Sequence, residues 1–167
     1  GQTNSAADIQ YLTFTPVAEQ NGAGYTSFTF QVVDDGGTTN GGVNTDQSAN
    51  GMTIDVTPVN DGAAGTDNTL TTLEDTPYVF AAADFGFTDP NDTPANNFLS
   101  VVITTLPANG TLTLSASSSA PGAVTAGQTI SAADIPFLTF SPVANENGAG
   151  YTSFTFQVRD DGGTANG

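Results

Sequence analysis

Residues 22–32 read GAGYTSFTFQV, and residues 148–158 spell the same stretch again. With the next residue included, YTSFTFQVV alternates. Phe28, Phe30 and Val32 fall on one side, and Ser27, Thr29, Gln31 and Val33 on the other. A period of two is the signature of a β-strand with one face on a core and one face in water. The same alternation runs through GMTIDVTP, TPYVFAA, FLSVVITT, GTLTLSA and FLTFSP, each bounded by Gly, Pro, Asn or Asp. No stretch sustains a helical period. Ser131, ahead of AADI, is a candidate N-cap for a single turn over 131–135.

The duplication extends well beyond the quoted stretch. Residues 1–41 align with 127–167 without a gap, at an offset of 126. Thirty-three of 41 positions are identical, the mismatches lying at 4, 10, 11, 15, 19, 20, 33 and 39. A long period with near-identical copies points to an array of whole domains rather than a solenoid of short units. Residues 1–61 are thus expected to be the C-terminal part of one repeat. Residues 62–167 are expected to be the next repeat without its final strand. Seven strands are predicted per period: A at 70–73, B at 77–82, C at 98–105, D at 111–115, E at 137–141, F at 151–159, and G, seen in the first copy at 52–57. This is the count of an all-β, antiparallel, two-sheet sandwich of the immunoglobulin kind, with a barrel as the lesser alternative. The Val33/Arg159 mismatch falls on the outward side of strand F.

Composition narrows the chemistry. The chain holds 17 acidic residues, one basic residue (Arg159), and no His, Cys or Trp, for a net charge of −16. No cationic surface is available to displace counterions from a nucleic acid or to dock on anionic lipid. Thiolate and imidazole metal sites are excluded, as are disulfides and a His-based triad. Any bound metal must be a hard cation on oxygen ligands, calcium first. Ser and Thr abound but have no His or Lys to activate them, and no carboxylate pair stands out from the rest, so no enzymatic activity is expected. No apolar run approaches the length of a membrane span.

The motifs LEDTPYVF, FTDPND, LPANGTLTL, FLTFSPVANENGAGYTSFTFQVRDDGG and MTIDVTPVND follow one another in an order and spacing that resembles the cadherin-like tandem repeats of giant bacterial surface proteins. The resemblance covers the whole chain. It implies an immunoglobulin-like sandwich strung into long extracellular stalks, often with calcium at the junctions. Cadherin-type linkers read D-x-N-D, and the PVNDG of this chain carries one carboxylate fewer.

Strand direction in such a sandwich carries the linker to the end that holds the B–C and F–G loops. That end would gather Asn60 and Asp61 from the linker, Asp89 and Asp92 from ADFGFTDPNDTPANN, and Asp160 or Asp161 from the F–G loop. Glu19, from the E–F loop of the preceding repeat, would join them. Together they form a hard-oxygen set of the size calcium takes. The opposite end would hold Glu74, Asp75 and Glu146 as a half-site for the next linker. The competing reading is that these are solvated turns, where Asp and Asn are favoured because they bond to nearby backbone amides. EF-hand spacing fails after Asp89, at Thr93 and Pro94.

Near-identical copies fit a spacer in a large secreted or surface-attached protein, with its partners the neighbouring repeats. The alternatives are a carbohydrate- or protein-binding module, for which Tyr11, Tyr25 and Tyr151 are the aromatics to watch, and a filament subunit. In the filament, the missing strand G would be supplied by an identical chain.

Overall fold

The computed structural model describes residues 1–164 and divides the chain into two units, Gly1–Pro58 and Val59–Gly167. Secondary structure is mostly β, and every paired strand runs antiparallel to its neighbour.

In the first unit, β1 (Gly22–Phe30) pairs with β2 (Asn50–Val56), with Thr26 opposite Ile54 and Phe28 opposite Met52. The register breaks between Gly22 and Thr26, where Gly24 takes φ 65° and donates its N–H to Asp55 Oδ1 at 2.6 Å. This is bulge geometry, and glycine adopts it without a Cβ penalty. None of the residues 1–58 is buried. Phe28, Phe30 and Val32 alternate as the pattern predicts, yet they remain 40%, 37% and 61% exposed. Alternation sets which face a side chain takes, but the face still needs a second layer to cover it.

Within the second unit, two sheets cover each other's apolar faces. Its strands are β3 (Tyr78–Val79), β4 (Phe98–Ile103), β5 (Thr111–Leu114), β6 (Gly122–Ala123), β7 (Thr129–Ser131), β8 (Leu138–Ser141) and β9 (Phe156–Asp160). They form one sheet of order β3-β8-β5-β6 and another of order β7-β4-β9. Both sheets feed one core. Val101 and Ile103 of β4 and Ile130 of β7 meet Leu112 and Leu114 of β5 and Leu138 of β8, with Phe80, Phe85, Val124 and Ile135 from the connections. Phe154, Phe156 and Val158 pack partly buried against this core. They are the counterparts, at the offset of 126, of the uncovered Phe28, Phe30 and Val32.

Strands C, D and E appear where the alternation places them, trimmed at their ends, and strand G runs from Asn50 to Val56, starting two residues before its expected position. Strand B shrinks to two residues, and the strand F ladder starts only at Phe156 in the second copy. No strand forms over 70–73. There Thr72 Oγ1 donates to the Thr76 carbonyl, Thr76 N–H returns to Leu73, and Leu73 stays 75% exposed, so a turn replaces strand A. Two short strands, β6 and β7, form where none was expected. Gly110, in the NG turn ahead of β5, takes φ 80°, and a Cβ there would lie 2.6 Å from the Phe140 ring and the Ser141 carbonyl.

Ser131 caps the 3-10 turn Ala132–Phe137, accepting from Asp134 N–H at 3.2 Å. The Asp134 carboxylate in turn accepts from the hydroxyls of Ser119 and Ser131 and from Ser119 N–H. The Ser119 hydroxyl, then the Ser119 N–H, then Ser131 hold its carboxyl below the usual carboxylate range. A carboxyl depressed in the folded state stabilises fully above its unfolded pKa, about 3.9, and loses that contribution as pH falls through the lower folded value. The second unit is therefore expected to melt at lower temperature as pH drops below about 4. Asp134→Asn should flatten that acid limb in thermal scans at successive pH values.

Candidate functional site

The linker, the loop between β3 and β4, and the residues after β9 converge at one end of the second unit. Asn60 is the hub. Its side-chain amide donates to Asp160 Oδ1 at 3.2 Å and to the Gly163 carbonyl at 2.9 Å, and its Oδ1 accepts from Asn96 Nδ2 at 2.6 Å. Asp61 N–H donates to Asp92 Oδ2 at 3.0 Å, and Ala63 N–H to Asp160 Oδ2 at 3.2 Å. Asn97 grips Asp161 twice, through its N–H at 2.7 Å and its side-chain amide at 3.0 Å, and the Asn97 carbonyl accepts from Asp161 N–H. The two Asn97 donors, side chain first, hold the Asp161 carboxyl below its ordinary range.

Local chemistry explains why the chain closes here. Ala64 and Thr88 form an antiparallel bridge that brings the linker onto the loop. Gly162 is required at its position, because a Cβ there would overlap the Asn60 and Asn96 side chains. Asp160 also accepts from Gly162 N–H at 3.0 Å, the bond of an Asx turn.

Asp89 differs from the rest. It is 8% exposed. Its Oδ2 accepts from Asn96 N–H, while Oδ1 is shut away from solvent with no hydrogen-bond partner among the described residues. A buried carboxylate oxygen without a donor is costly, and a cation is one thing that would satisfy it.

The structure thus brings together Asn60, Asp61, Asp89, Asp92, Asp160 and Asp161. It adds Asn96 and Asn97, which the sequence reading passed over. Their only signal was their place directly before a strand, in a loop already rich in Asp. Among the described residues, no three acidic side chains stand as a ready-made metal ligand set. The carboxylates are instead interleaved with asparagine amides and backbone N–H groups. Glu19 belongs to the first unit, in a left-handed turn at φ 61°. Asp84, in the same loop as Asp89, serves the backbone. It accepts from Ala81 N–H at 2.8 Å and from the Tyr78 hydroxyl at 3.1 Å.

The three acidic residues expected at the opposite end each bond within the stretch 145–151. Asp75 Oδ1 accepts from Asn145 N–H at 2.8 Å, Glu74 Oε2 from Asn147 Nδ2 at 2.7 Å, and Glu146 Oε2 from the Tyr151 hydroxyl at 2.8 Å. All three carboxylates are exposed. Burial, then the Glu146 hydrogen bond, pushes the Tyr151 hydroxyl upward in pKa. The Tyr151 hydroxyl also accepts from Val143 N–H, and the first copy repeats the contact between Tyr25 and Val17 N–H.

No family model, no curated protein and no solved structure matches this chain.

Proposed function

We propose that this chain is a spacer segment of a large secreted or cell-surface bacterial protein, a stalk or fibre body built by repeating one β-sandwich every 126 residues. One observation carries the reading: 33 of 41 aligned positions are identical between the two copies. A rod needs the same segment again and again, whereas a ligand-specific tip domain more naturally differs from its neighbours. The paired tyrosines support the immunoglobulin-like sandwich, since a tyrosine reaching back to an upstream backbone group is a device of such folds. So do the two sheets around one core.

In this reading calcium occupies the linker end of the second unit. Asp89, Asp92 and Asp160 would hold it, with Asn60 and Asp61 contributing from the linker. The unpartnered Asp89 oxygen is the feature of the site that such an ion fits. Calcium would supply the charge that lets several carboxylates share one seam, and would draw the linker onto the loops as a clamp. Asn60 positions the Asp160 carboxylate, Asn96 holds Asp89 by its backbone, and Gly162 leaves room for both amides. Outside the cell, calcium is abundant and this role is open to it. With one Lys or Arg in 167 residues, the chain also offers few sites to trypsin-like proteases.

The test is small-angle scattering of the chain in calcium and in EDTA. A spacer clamped at its linker gives a narrower distribution of dimensions in calcium and a broader one in EDTA. Identical curves in both buffers would remove the clamp from the account.

A further inference from the structure

We propose that Asn109 is a self-modifying residue. Its side-chain amide closes onto the Gly110 nitrogen and opens to aspartate or isoaspartate, which loosens the second unit with age. The inference rests on neither the spacer reading nor calcium, and every partner in it belongs to the second unit.

The sequence offers several candidates. Asn21, Asn40, Asn50, Asn109, Asn147 and Asn166 each precede a glycine, the last of them outside the described residues. Asn-Gly is turn chemistry. It is also the pair in which a side-chain amide carbon is most open to the next backbone nitrogen, because glycine has no Cβ to stand in the way. Ring closure needs an amide free to swing and a following N–H that is not already bonded. The five described pairs separate on that criterion. Asn50 Nδ2 is held by the Asp46 carboxylate, and Gly51 lies in the ladder opposite Thr29. Asn147 Nδ2 is held by Glu74 Oε2 at 2.7 Å. Asn21 and Asn40 belong to the first unit, where nothing is buried and conversion has no packing to disturb.

Asn109 stands apart. Its side chain is exposed, and among the described residues neither that side chain nor the Gly110 N–H makes a hydrogen bond. Its own backbone N–H donates to Thr152 Oγ1 at 3.3 Å, so the amide swings on an anchored base. Glycine is forced on the next position. Gly110 takes φ 80°, and a Cβ there would lie 2.6 Å from the Phe140 ring and the Ser141 carbonyl. The packing that demands glycine therefore also leaves Asn109 open to cyclisation, since no bulkier, protective neighbour fits.

The step consumes only water. The Gly110 nitrogen gives its proton to solvent base and attacks Asn109 Cγ. The new C–N bond forms as the Cγ–Nδ2 bond breaks, and Nδ2 takes up a proton and leaves as ammonia. Water then opens the succinimide. Attack at the side-chain carbonyl gives aspartate, and attack at the main-chain carbonyl gives isoaspartate. The isoaspartate form routes the backbone through Cβ and adds one atom of chain directly before Gly110. With Phe140 and Ser141 already against that glycine, the added length pushes β5 out of its register on β8, where Thr111 faces Ser141.

Ageing of the full chain at neutral and mildly alkaline pH tests this. Chymotryptic peptide mapping separates Asn, Asp and isoAsp at each position, and thermal unfolding is followed at matched times. The expected result is conversion at Asn109 several-fold faster than at Asn50 and Asn147, and faster at the higher pH. With it grows a population of second units that melts at lower temperature. Asn109→Gln lengthens the side chain past the favoured five-membered ring, so the aged variant should keep its melting temperature. An Asn109 that stays intact overturns the proposal, whatever happens at the other pairs. So does conversion at Asn109 that leaves melting unchanged, or loosening that proceeds equally in Asn109→Gln.

Discussion

Replacing Phe85 by alanine is expected to lower the stability of the second unit by about 3–5 kcal/mol, the usual cost of deleting a buried aromatic ring. Phe85 is 1% exposed and stands edge-on to Phe156 with ring centroids 4.9 Å apart, with Phe80 at 5.9 Å and Phe98 at 6.5 Å. It therefore ties the connection after β3 to β4 and β9 at once. Loss of the ring leaves a cavity among other rings, which are too rigid to collapse into it. Chemical denaturation followed by tyrosine fluorescence measures the change. Phe28→Ala is the internal control. Phe28 carries the same side chain, but it is 40% exposed in a unit without buried residues, so its removal should cost less than about 1 kcal/mol. Equal losses at both positions would mean that the first unit has a core like that of the second.

That contrast also shows how far local pattern reaches. The alternation in 22–32 and 148–158 is the same string, and it correctly assigns Phe28 and Phe154 to equivalent faces. It carries no information about what lies across from the face, because the covering layer comes from residues distant in sequence. Strands β4, β5 and β8 were legible because each alternates within its own few residues. β6 and β7 were not, since Gly122–Ala123 has almost no side chain to pattern and Thr129–Ser131 gains strand geometry only by pairing with β4. Residues 70–73 mislead for another reason: Leu70 and Leu73 stand three apart and so cannot share one face of a strand, Glu74 and Asp75 begin a turn, and among the described residues no strand pairs with the segment.

The candidate site was legible in outline. Strand direction alone brings the linker to the loops after β3 and β9, and the hydrogen bonds of Asn60 and Asp61 bear out that convergence. What strand direction does not convey is the identity of the supporting amides. Asn96 and Asn97 look like ordinary loop residues until the fold sets them against Asp89, Asn60 and Asp161.

Calcium is expected to give the largest ligand effect on this molecule. An ion bound only to the folded state, at a hundred times its dissociation constant, adds about 2.7 kcal/mol, enough to raise the melting temperature of a domain this size by roughly 10 °C. Asp89 sets the sign of the control. Asp89→Asn keeps an acceptor for Asn96 N–H and removes one charge from a like-charged seam. In EDTA the variant should melt at or above the wild type, and in calcium it should show no shift. A carboxylate serving only its turn would lose stability equally in both buffers. Glu74→Gln, at the far end of the unit, should leave the calcium shift in place. Thermal unfolding of the wild type and Asp89→Asn, each in millimolar calcium and in EDTA, is therefore the deciding measurement. The account predicts a calcium shift in the wild type that Asp89→Asn abolishes. A wild type that melts identically in both buffers, or a shift that survives in Asp89→Asn, would contradict it.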